Sequence, residues 1–202
     1  MLTIGLTGGI ATGKNAVAQI LEDQGAEIVD ADKIARKLLE PGQVTFDKVV
    51  DTFGCDVLDL EGSIDRKILA DTVFKDKSKR EELNSILHPA IIDEEWKKVM
   101  AIKRSKPDAI AVVNAALLIE SGNYKEVDKL ILVVADKELV IDRVMKRDGL
   151  SREGAQSRIA SQMPEDEKRT FADYIIENNG NLEELRGKVT RLFKSLKSAE
   201  ND

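Results

Sequence analysis

The stretch LTIGLTGGIATGKNAVAQIL, Leu2 to Leu21, decides how the rest of the chain is read. Its first five residues are mostly apolar and partly β-branched, which suits a buried strand. A glycine-rich turn follows, and from Lys14 onward apolar residues recur at helical spacing. Gly8, Gly13 and Lys14 stand in register with G-x-x-x-x-G-K-[ST], the phosphate-binding loop, and the strand–loop–helix setting is the one that motif needs. In such a loop successive backbone N–H groups curl round a phosphate. The helix amino terminus adds positive potential, and the lysine reaches the outer phosphates. The competing reading is a glycine-rich turn with no ligand. The last motif position holds Asn15 where a hydroxyl normally meets magnesium. An amide oxygen also binds hard cations; Thr7 and Thr12 are neighbouring hydroxyls, and Ala16 offers none.

Outward from the loop, short apolar runs alternate with amphipathic ones. Residues 2–6, 26–30, 109–113, 129–135 and 173–178 read as strands, several without polar alternation, as in a parallel sheet buried on both faces. Residues 14–24, 31–39, 137–147 and 182–196 read as helices. That order predicts an α/β protein with a five-stranded parallel sheet and right-handed crossovers.

Two regions break the rhythm. Residues 63–104 read as helix after helix: one opening at a serine cap in SIDRKILADTVF, one in KSKREELNSILH, and one starting at Pro89. They predict a helical insertion. Residues 148–172 are charged and helical, with few large apolar side chains, which fits a lid or a solvated surface hairpin. The core is then 1–62 with 105–147 and 173–202. The tail, 197–202, reads as frayed.

The 202 residues are 42% hydrophobic and 34% charged, enough for a sizeable core under a well-solvated surface. A net charge of −6 argues against general nucleic-acid binding. No apolar run is long enough for a membrane span. A single cysteine, Cys55, fits a reducing, cytoplasmic setting, and the start MLTIGLTGG lacks the pattern of a secretion signal.

The second strand ends near Val29, so Asp30 and Asp32 fall at or just past its carboxyl end, where open parallel sheets bind ligands. Either aspartate could ligate a metal or take a proton from an attacking hydroxyl. Asp32 could equally cap the next helix, with Asp30 in the turn.

In order along the chain, GLTGGI-x-x-GK, VDADKIAR, EPG, LHP, ALLIE, RDG and RIASQMP-x-x-EKR resemble the dephospho-coenzyme A kinase family. The resemblance implies a phosphate-loop core like that of nucleoside monophosphate kinases, with a helical acceptor-binding domain at 63–104 and a lid at 148–172. It implies transfer of the γ-phosphoryl of ATP to the ribose 3′-hydroxyl of dephospho-coenzyme A, with Mg²⁺. Asp32 matches the aspartate that faces the acceptor ribose, while Lys14 and Arg143 would stabilise the transferring group. Gly9, Ala11, Thr12, Gly13, Lys14, Asn15 and Ala16 would hold ATP, joined by Arg143, Arg147, Asn178 and Asn179. Thr7, Asp32, Arg66 and His88 would meet the acceptor, and Asn15 the metal. Arg158 and Arg169 would close over the transferred group. Structural alternatives stand beside several of these: a basic helix face for the arginines at 143 and 147, a turn for Asn178 and Asn179, and a helix start for His88.

The chain departs from the family pattern at Asn15, at Ala11 where glycine is common, and at Asn114 and Ala116 where an acidic residue and often proline are usual. An active kinase is expected. A nucleotide-binding relative that has lost catalysis, and a kinase for another small molecule, are the alternatives.

Overall fold

A computed structural model describes residues 1–199. The opening apolar run forms β1 (Leu2–Gly8), buried throughout from Thr3 to Gly8. The other strands are β2 (Glu27–Asp30), β3 (Ile110–Asn114), β4 (Lys129–Val134) and β5 (Tyr174–Glu177). They make one five-stranded parallel sheet in the order β2-β3-β1-β4-β5. β1 therefore lies at the centre, with Leu6 opposite Asn114 on one side and Gly8 opposite Val133 on the other. Strands in this position need apolar side chains on both faces, which is why they read as unbroken apolar runs.

Helices α1 (Lys14–Asp23) and α9 (Leu182–Ala199) cover one face. Val17, Ile20 and Leu21 of α1 meet Leu185, Val189, Phe193 and Leu196 of α9 over the strands. Each fully buried side chain of this size contributes about 1.5–3 kcal/mol. Helix α9 continues through Lys197 and Ser198, so those two tail residues are helical; residues 200–202 lie outside the described residues.

The chain divides into two compact units, Met1–Val29 with everything from Val99, and Asp30–Lys98. The second takes in α2 (Ala31–Leu38), α3 (Val44–Phe53), α4 (Arg66–Lys75) and most of α5 (Lys77–Ser105). A small core of Val49, Val57, Ile64 and Leu69 holds it together. The sequence reading assigned no helix to 44–53, because TFDKVVDTF has few strong helix formers.

Two other local expectations are corrected. The cap of α4 is Asp65, whose Oδ1 accepts from Lys67 N and Ile68 N, and not Ser63. Ser63 is committed to a tight loop, where Asp59 Oδ1 accepts from its N–H. Pro89 starts no helix: α5 runs unbroken through it. A proline there removes one ladder donor. The carbonyl left over belongs to Ser85, which is exposed and can turn to water.

After β4 the chain forms α6 (Lys137–Asp148), α7 (Arg152–Ala160) and α8 (Glu165–Arg169). Ala155 of α7 is buried against Val140, Ile141 and Val144 of α6, with Ile10 and Ala11 packed alongside. The charged segment therefore sits on the core through a few small contacts.

Candidate active site

The loop between β1 and α1 is built for an anion. Ala11 is left-handed (φ 57°), and Gly13, the residue before α1, has φ 92°. No side chain caps α1. Among the described residues the N–H groups of Ala11, Gly13 and Asn15 have no protein acceptor. Uncapped donors at a helix start favour negative charge. Lys14 is only 8% exposed, and its Nζ donates to Asn114 Oδ1 at 2.5 Å. Asn114 ends β3 and is 1% exposed; its Nδ2 donates to Asn15 Oδ1 at 3.4 Å.

The loop is braced from below. Thr12 Oγ1 donates to Gly9 O, and Asn178 Nδ2 donates to Thr12 O at 2.8 Å. Arg143 spans two carbonyls, Ala11 O at 3.4 Å and Asn178 O at 3.2 Å. These contacts explain the glycines. A Cβ on Gly13 would come within 2.1 Å of Asn178 Nδ2, and one on Gly8 within 2.7 Å of Val133 O.

The structure brings Lys14, Asn15, Arg143 and Asn178 together around the loop. Thr7 is 0% exposed and its hydroxyl donates to Ala116 O, so it holds β1 to the segment after β3. A residue at the end of a central strand is as readily buried as presented, and the sequence does not separate the two. Arg147 shares a helix face with Arg143 but forks onto the neighbouring Asp148. That contact, with Arg158 adding its charge, holds the Asp148 carboxyl below the usual range. Arg169 pairs with Glu165 one turn back. Asn179 exchanges two hydrogen bonds with Asp136 at the start of α6, fixing the end of β5 against it. Gly9 and Ala16 lie on the loop and first helical turn.

Beside the loop lies a cavity of about 900 Å³. Gly9, Ile10, Thr12, Asp136, Gln162 and Asn179 line it, together with parts of β4, α7 and α8. Gln162 and Lys168 are among the lining residues that the sequence does not single out. Gln162 Oε1 accepts from Ile10 N at 2.8 Å, tying the connection between α7 and α8 to the loop. Lys168 is buried and ion-paired with Glu120 at 2.6 Å. The only sequence signal for Gln162 was its place inside RIASQMP.

The remaining predicted residues belong to the second unit. Asp30 Oδ1 accepts from Lys33 N and is the cap of α2, which leaves Asp32 exposed in the first turn with no capping duty. Arg66 is exposed at the first position of α4. His88 sits mid-way along α5, and partial burial lowers its pKa, which favours the neutral imidazole. Glu95, two turns further on, is 3% exposed, and burial pushes its pKa up to about 7.

Among the described residues no group of three or more His, Cys, Asp or Glu is placed to hold a metal ion. Asn15 Oδ1 is a hard, uncharged oxygen with a lone pair beyond the one turned to Asn114. Magnesium characteristically takes few protein ligands and completes its shell with phosphate oxygens and water. The donor set fits.

A profile of the family described as "Dephospho-CoA kinase" matches residues 2–184. The dephospho-CoA kinase of Aquifex aeolicus is 43% identical over 197 residues, spanning 97% of this chain and 98% of its own. That of Geobacter sulfurreducens is 44% identical over 193 residues, 96% and 98% of the two chains. Among solved structures, the dephospho-CoA kinase from Campylobacter jejuni superposes with a TM-score of 0.74 at 31% identity over 98% of both chains. Shikimate kinase from Acinetobacter baumannii, at 15% identity and a TM-score of 0.59 over 100% of this chain and 96% of its own, shares the fold.

Proposed function

This chain belongs to the dephospho-coenzyme A kinase family, and from that premise we propose how its residues carry out the reaction. It phosphorylates dephospho-coenzyme A with ATP, in coenzyme A biosynthesis. The ribose 3′-hydroxyl attacks the γ-phosphorus, the bond from that phosphorus to the bridging oxygen breaks, and ADP leaves.

The loop from Gly9 to Ala16 holds the triphosphate through its backbone N–H groups, with Lys14 on the outer phosphates. The unpaired donors of Ala11, Gly13 and Asn15 are the observation that carries this reading. Arg143 and Asn178 keep the loop in shape by holding its carbonyls, so their part is to orient. Asp32, exposed just beyond the carboxyl end of β2, takes the proton of the attacking hydroxyl. Arg66, His88 and the helical unit around them bind the acceptor. The segment at 148–172 acts as a lid, with Arg158 and Arg169 turning from their carboxylate partners to the phosphates on closure. Arg147 and Asn179 border the nucleotide. A divalent cation, Mg²⁺, held by Asn15 and phosphate oxygens, would neutralise charge on the β- and γ-phosphates. No helix among the described residues is long and apolar enough to cross a membrane, and we place the enzyme in the cytoplasm.

The test is ADP release from ATP and Mg²⁺ with a panel of acceptors. Release with dephospho-coenzyme A, and not with shikimate or nucleoside monophosphates, is the expected result. Release with another acceptor alone would refute the assignment.

A further inference from the structure

We propose that Asn114 is a positioning residue that presets Asn15 for the divalent cation, so that the two asparagines work only as a pair. The inference rests on the reading of the loop as a metal–nucleotide site. It begins with hydrogen-bond valence. Lys14 Nζ carries only donors, so the Asn114 atom 2.5 Å from it must be the oxygen. That turns Nδ2 to the other side of the amide, where it can only donate. The Asn15 atom it approaches, at 3.4 Å, is accordingly the oxygen as well.

One amide, buried to 1% exposure at the end of β3, thus fixes two consecutive loop side chains. Asn15 itself is exposed in the first turn of α1. Left alone, its amide would flip, and half its states would turn an NH₂ group toward a cation. With Asn114 in place, one lone pair of Asn15 Oδ1 faces Nδ2 and the other is left for a hard ion.

The same logic makes single replacements harmful. Asn114→Asp keeps an acceptor for Lys14, but offers Asn15 an acceptor in place of a donor. Asn15 must answer with its NH₂ group, which carries its oxygen away. Asn15→Ser shortens the side chain by one bond, and from a starting separation of 3.4 Å it withdraws the acceptor from a buried N–H. The two replacements together are self-consistent again, because a loop hydroxyl and a strand-end aspartate are the familiar magnesium pair of phosphate-loop enzymes.

The test is a pair of cycles. ATP binding is measured by calorimetry with and without Mg²⁺ in wild type, Asn15→Ala, Asn114→Ala and the double variant. The ratio of the two affinities reports the cation alone. Asn15→Ala is expected to lower it about tenfold, as expected for one lost ligand. Asn114→Ala, which removes no ligand, is expected to lower it as much, and the double variant no further. An unchanged ratio in Asn114→Ala, or losses that multiply, overturns the proposal.

Asn114→Asp keeps the side-chain shape and guards against a folding defect. Turnover should fall in Asn114→Asp and in Asn15→Ser, and recover to within about threefold of wild type in the double variant. A gain in Asn15→Ser alone overturns the proposal. Wild-type turnover in the same assay separates this failure from failure of the functional assignment, which would leave every protein inactive.

Discussion

Substitutions should separate the residues proposed to meet ligand from those that hold the loop in shape. If Asp32 takes the proton as proposed, Asp32→Asn removes that acceptor and little else. Turnover should drop by about 100-fold or more while the Kd for ATP stays within about threefold. Parallel losses in both would make Asp32 structural. Gly13→Ala should act the opposite way. Its Cβ meets Asn178 Nδ2 at 2.1 Å and its φ is 92°, so the loop must deform and ATP affinity should fall together with the melting temperature. Gln162→Ala strips the acceptor from Ile10 N. It should cost about 1 kcal/mol in urea unfolding, and quicken proteolysis between α7 and α8. At this scale the sequence was most informative where a motif fixes the backbone. Lys14, Gly13 and the missing hydroxyl at Asn15 were legible. The inward turn of Thr7, the pairing of Arg147 with Asp148 and the reach of Gln162 were not, because each depends on partners distant in sequence or on a rotamer.

Elements were legible in proportion to their burial. The five strands were read to within about two residues, since only β-branched apolar runs survive at the centre of a parallel sheet. Helix ends were less legible, because capping depends on competition between nearby polar residues: Asp65 outcompetes Ser63, and Asp30 takes the capping role that the sequence left open to Asp32. Pro89 is the clearest case. It is a poor helix residue that lies, exposed, inside an unbroken α5. Pro89→Ala should restore a donor for the Ser85 carbonyl and stabilise the protein by roughly 1–3 kcal/mol against urea. No change, or a loss, would show that the ring is packed to advantage.

For the whole molecule, the interleaving of a parallel sheet with helices, and a helical insertion, follow from the sequence. The division at Asp30 and Lys98 does not, since it depends on which side chains of α2 and α3 find a common core. Overall stability should carry the mark of Glu95. Its folded pKa, about 7, lies above the ordinary 4.5, so the folded protein holds a proton that the unfolded chain releases. The associated stability is complete below pH 4.5 and is lost as pH rises through 7, about 3 kcal/mol in all. Between about pH 6 and pH 8 wild type should lose on the order of 1 kcal/mol more than Glu95→Gln in urea titrations. Equal losses would mean that the carboxyl is ionised in the fold. The loop of this chain, with asparagine in place of the hydroxyl, should still drive phosphoryl transfer to dephospho-coenzyme A. The most direct measurement follows label from γ-labelled ATP in the presence of Mg²⁺ and dephospho-coenzyme A. Label is expected on the ribose 3′-oxygen of the product; label that stays in bound ATP, or passes only to water, would show that the loop no longer drives this transfer.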